Sequence, residues 1–84
     1  MLHFVKNINK VEPYKLTLLF NTGETKTIDL SQKLKEWAIS SDSKFRDLLN
    51  PEYFLSVKLN KALETICWEN GIDFCPDTLY SWAD

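Results

Sequence analysis

Glycine and cysteine each occur only twice in this sequence, and histidine only once. Two isolated glycines, Gly23 and Gly71, cannot form a phosphate-cradling loop, which needs several glycines within a few residues. His3, Cys67 and Cys75 fall short of the four N or S ligands of a structural zinc site, unless a carboxylate or a second subunit completes the set. No metal and no cofactor are therefore expected. Basic blocks are also missing. The lysines are scattered singly from Lys6 to Lys61, and ten basic against twelve acidic residues leave a net charge of −2. A general nucleic-acid binder needs a clearly basic face, so nucleic acid is not the partner expected for this chain alone. No apolar run approaches the roughly 20 residues that cross a bilayer. The N-terminal "MLHFVKNINKVEPY" carries Lys6, Lys10 and Glu12 where a signal peptide would be continuously apolar. The expectation is a cytoplasmic protein with no membrane contact, its two cysteines free and buried.

What the chain has is apolar content: 44% hydrophobic residues, with three tryptophans, three tyrosines and five phenylalanines in 84 residues. This length makes one domain, 1–84, near the lower limit of what burial alone can hold. Large rings help such a chain, each burying on the order of 150–250 Å².

Period-2 patterning is clearest in "YKLTLLF", where Tyr14, Leu16, Leu18 and Phe20 share one face of a strand. "NTG" offers Gly23 for a positive φ, and "ETKTIDL" returns as the partner strand of a hairpin. "HFVKNINKV" is β-rich without constant parity, which suggests a bulged first strand ending at Glu12-Pro13. The period then changes. Leu30, Leu34, Trp37 and Ala38 fall on one helix face, with Asp29 or Ser31 as its cap. "ISSDSK" reads as a loop. "FRDLLNPEYF" reads as short helical pieces plugging Phe45, Leu48, Leu49 and Phe54 into the core, with Pro51 preventing one continuous helix. "FLSVKLN" places Leu55, Val57 and Leu59 on one strand face, and "ETICWEN" places Ile66 and Trp68 on another. "PDTLYSWA" closes as a helix with Pro76 in its first turn, Asp77 at its positive end, and Leu79, Trp82 and Ala83 inward. The order predicts an α+β, two-layer fold: a meander antiparallel sheet of about five strands (β3-α-β2-α) with helices packed on one face.

These residues resemble a known family. "YKLTLLFNTGETKTIDL", then "FLSVKLN" and "ETICWENGIDFCPDTLY", resemble the domain-of-unknown-function family 2442 across nearly the whole chain. The shared marks are Trp68, Asn70-Gly71, Asp73, Pro76-Asp77 and Leu79-Tyr80. Glu69 stands where the family often has proline. The resemblance implies a small bacterial two-layer domain without established activity. Relatives look like single-domain proteins, sometimes joined to a helix-turn-helix, sometimes encoded beside another small protein in a toxin–antitoxin-like arrangement. An antitoxin-like role is thus an implication of the resemblance. No helix-turn-helix is expected within 1–84.

Spacing separates the candidate sites. A nucleophilic cysteine would need a base, and His3 lies at the far end of the sequence with no Asn or Asp visibly placed to orient it. Asp73 and Asp77 are four apart, but Pro76 intervenes, so loop-folding and helix-complementing roles suit them better than acid–base work. Trp68, Phe74, Tyr80 and Trp82, joined by Trp37, read mostly as core. The loop from Asn70 to Asp77 is the candidate interaction rim, with Trp68, Asn70, Gly71, Asp73, Asp77 and Tyr80 as its residues. No catalytic residue is expected. The expected function is a non-enzymatic protein-interaction or regulatory module acting through an unknown protein partner or self-association. The alternative is a small-ligand-binding protein or enzyme with an unrecognised pocket.

Overall fold

The first strand, β1 (Val5–Glu12), pairs antiparallel with β2 (Lys15–Phe20), which pairs with β3 (Thr25–Asp29). The computed structural model describes residues 2–38 and 43–83, so most of the expected "ISSDSK" loop lies outside the described residues. The parity breaks of β1 are real bulges, with register shifts between Val5 and Asn7 and between Ile8 and Lys10. Leu16, Leu18 and Phe20 are buried while Lys15 is exposed, the half-buried pattern expected of this strand. Both hairpin turns use positive φ: Gly23 at 87° and Tyr14 at 68°. At Tyr14 a side chain occupies a conformation that favours glycine. Its hydroxyl donates to the Leu49 carbonyl, its ring meets Phe54 edge-on, and its own carbonyl accepts from Leu30 N–H. Tertiary contacts therefore hold the turn.

Helix α1 (Ser31–Trp37) buries Leu34. Neither Asp29 nor Ser31 is its N-cap: Leu30 holds that position without a side-chain cap. Asp29 instead accepts from the Ser31 amide (2.9 Å) and hydroxyl (2.7 Å), a local turn that leads the chain in. These bonds hold its carboxyl below the ordinary aspartate value. Two single-turn helices follow, α2 (Phe45–Leu48) and α3 (Pro51–Phe54). Pro51 begins α3 and Asn50 caps it, accepting from Glu52 N–H at 3.0 Å.

The second half corrects two expectations. Strand β4 is only Lys58–Asn60, because the helical turn of α3 continues through Leu55, whose N–H donates to the Pro51 carbonyl. Leu55 consequently faces solvent at 45% exposure. And β4 with β5 (Thr65–Cys67) forms a separate two-stranded sheet, so there is no five-stranded meander. The two sheets touch where Val5 N–H donates to the Glu64 carbonyl at 2.8 Å. The last helix is α4 (Pro76–Trp82).

One core joins these parts. Leu34, Leu48, Phe54 and Leu79, one from each helix, meet Leu16, Leu18, Phe20, Ile28 and Ile66 from the sheets. Each such side chain contributes about 1.5–3 kcal/mol on burial. The buried Thr65 hydroxyl donates to the Phe74 carbonyl at 2.6 Å. The molecule is an α+β domain with antiparallel sheets, and among the described residues no helix is long and apolar enough to cross a membrane.

Candidate functional site

The residues after β5 keep strand-like alternation without a partner strand. Trp68, Ile72 and Phe74 point inward while Glu69, Gly71, Asp73 and Cys75 are exposed. A tight turn sets this up: Gly71 N–H donates to the Trp68 carbonyl, and Trp68 N–H to the Ile72 carbonyl. Gly71 sits at φ 92°, a conformation that side chains rarely adopt. Cys67 and Asp73 then form an isolated antiparallel bridge.

Trp68 is 2% exposed, so it is a pillar beneath the loop and not part of the rim. Its Nε1–H donates to the Phe54 carbonyl at 3.1 Å. Asn70 is the loop's internal strut. Its Oδ1 accepts from Ile72 N–H, its Nδ2 donates to the Lys44 carbonyl and to Asp47 Oδ2, and its own N–H donates to the Tyr53 hydroxyl. These bonds tie the loop to α2 and α3. They leave Gly71 and Asp73 at the surface, and among the described residues the Asp73 side chain has no ion-pair partner.

Asp77 and Tyr80 belong to a different cluster. Asp77 Oδ1 accepts from the His3 amide (2.7 Å) and stands 2.8 Å from His3 Nδ1. The His3 ring stacks on Tyr80 with centroids 3.7 Å apart, and the Tyr80 hydroxyl donates to Glu24 at 2.5 Å. The His3 bonds hold the Asp77 carboxyl below its ordinary value. The Tyr80 hydroxyl, helped by that of Thr22, does the same for Glu24, while Glu24 pushes the Tyr80 phenol up. Lys26 lies over the Tyr80 ring at 4.7 Å. The N-terminal segment is pinned further by Asn21, which accepts from Phe4 N–H and donates to the Leu2 carbonyl. An aspartate does orient His3, contrary to the sequence expectation. Its carboxylate also takes the backbone amide of the same residue, which is the geometry of a latch.

The rings divide accordingly. Trp37, Phe45, Phe74 and Trp82 form one contact network, with Trp37 within 5.8 Å of the other three. Trp68 meets it through Phe74 at 5.9 Å. Tyr80 stands outside it, against His3 and Phe20. Both cysteines are free, but only Cys67 is partly sheltered; Cys75 is exposed. Among the described residues no three His, Cys, Asp or Glu side chains come together in a metal-binding group. Sequence reasoning missed the His3–Asp77 pairing because nothing local marks a contact across 74 positions.

A family model described as "Protein of unknown function (DUF2442)" matches residues 5–84. The fold is similar to the crystal structure of NE0471 from Nitrosomonas europaea ATCC 19718, named provisionally as a DNA-binding protein. That similarity has a TM-score of 0.78 at 24% identity and covers 99% of this chain but 50% of the other. The chain therefore spans about half the length of that protein. No curated protein matches the sequence.

Proposed function

Given that the chain belongs to the DUF2442 family, whose description assigns no activity, we propose from its geometry that it is a non-enzymatic protein-interaction or regulatory module, to which the family resemblance alone adds an antitoxin-like role. The observation that carries this reading is the loop strutted by Asn70. Bonds to Tyr53, Lys44 and Asp47 fix its backbone from within, while Gly71 and Asp73 stay exposed. A surface ordered before contact loses less entropy on binding, which favours recognition by a protein or a second copy. Asp47, Gly71 and Asp73 form the contact rim in this proposal, with Trp68 as its support.

The test is co-purification of tagged wild-type and Asp73→Arg protein, with the mass in solution measured in parallel. The reading expects a partner, or a dimer, that the variant loses. A strictly monomeric protein that retains nothing overturns it. Nucleic acid is a second outcome to score, because the Nitrosomonas europaea protein carries a DNA-binding name. A salt-sensitive mobility shift would support that reading, and the net charge of −2 stands against it for this domain.

A further inference from the structure

At the opposite end of β5 from the strutted loop, the β4–β5 turn stands over the start of β1. Between them lies an open depression of about 220 Å³, lined by Val5, Lys6, Leu59, Lys61 and Glu64. Leu59, half-buried, gives it an apolar surface, with the buried Val5 beneath. Two lysines against one glutamate give its rim a net positive charge. Lys6 Nζ is shared with Glu64 at 3.2 Å. Lys61 is exposed and, among the described residues, has no carboxylate in ion-pair reach.

The backbone adds an independent observation. Glu64 has φ 53°, a left-handed setting in which glycine is unstrained and glutamate is not. Strained settings of this kind cluster where function over-determines them. Here the strained residue is the one that places a carboxylate beside Lys6 in the wall of the depression, and its carbonyl is the anchor for Val5 N–H.

We propose that this depression is a binding site for a small organic monocarboxylate with an apolar body. The carboxylate meets Lys61 and competes with Glu64 for Lys6, while the apolar body lies against Leu59. The volume suits roughly five to ten non-hydrogen atoms. The proposal goes beyond the interaction reading and stands without it.

Titration of ¹⁵N-labelled full chain with isovalerate, followed by amide shifts, tests it. Saturable shifts at Val5, Lys6, Leu59 and Lys61 are expected, with a Kd on the order of millimolar. Acetate lacks the apolar body and isoamyl alcohol lacks the charge, so both bind more weakly. Lys61→Ala, at an exposed position, keeps the native spectrum and weakens isovalerate binding roughly threefold to tenfold. Absence of saturable shifts, equal affinity for acetate, or an unchanged affinity in Lys61→Ala overturns the proposal.

Discussion

Asp77 Oδ1 lies within hydrogen-bond distance of both the amide nitrogen and Nδ1 of His3, one oxygen holding both ends of a residue 74 positions away. Replacing Asp77 by Ala frees Leu2, His3 and Phe4 first, which faster amide exchange in that segment will show. The latch also depends on acid. Because His3 lowers the Asp77 carboxyl below its ordinary 3.8, the folded state takes up that proton less readily than the unfolded chain. Its contribution is complete above the unfolded value and is lost as the pH falls through the folded one. Wild type therefore loses more stability than Asp77→Ala as the pH drops below 3.8, measured by urea unfolding across an acid series.

Asn70→Ala strands the Ile72 N–H and removes one of the two donors to the Lys44 carbonyl, which keeps the Asp47 N–H. A loss of about 1–2 kcal/mol is expected. Denaturant midpoints measure it, and Tyr53→Phe, which removes only the bond to Asn70 N–H, will cost less.

Truncating the pillar is far more damaging. Trp68→Ala empties a fully packed site against Phe54 and Phe74 and leaves the Phe54 carbonyl with only the Val57 N–H as donor. About 3–5 kcal/mol is lost, a large part of the stability of a domain this small. A thermal melt will show a collapsed or absent transition.

Positive-φ sites give a paired test of opposite sign. Gly71→Ala places a Cβ at φ 92° and costs about 1–2 kcal/mol. Glu64→Gly at φ 53° relieves that strain, and after glycine's greater unfolded-state entropy it gains up to about 1 kcal/mol. Urea unfolding of the two variants beside wild type decides both.

Cysteine labelling should be graded by exposure. Cys75 will react with a thiol reagent first and Cys67, partly sheltered in β5, later, as two kinetic phases resolved by mass spectrometry.

Local periodicity carried much of this fold into legibility. Leu16, Leu18 and Phe20 alternate because a strand side chain has only two faces, and Leu30 and Leu34 follow the helical repeat for the same kind of reason. Leu55 misled, since its parity with Val57 and Leu59 mimics a strand while its amide is already engaged by the Pro51 carbonyl. The sheet division was not legible either, because whether β1 accepts a further neighbour is a long-range matter, decided here at a single bond from Val5 to Glu64. Within the proposed rim, Asn70-Gly71 announced its turn. Trp68 is buried as its parity with Ile66 indicates, whereas Cys75, expected to be buried, is exposed because it falls on the outward side of the alternation of Ile72 and Phe74.

The latch sets an order of assembly during synthesis. The ribosome releases β1, β2 and β3 long before α4, so the hairpins can pair while the amide and ring of His3 still have no aspartate to meet. Asn21 offers its nearby amide early; Asp77 and Tyr80 arrive later. A nascent chain stalled before Pro76 would thus carry Leu2, His3 and Phe4 unfastened, and protease protection of these residues would date the moment α4 docks.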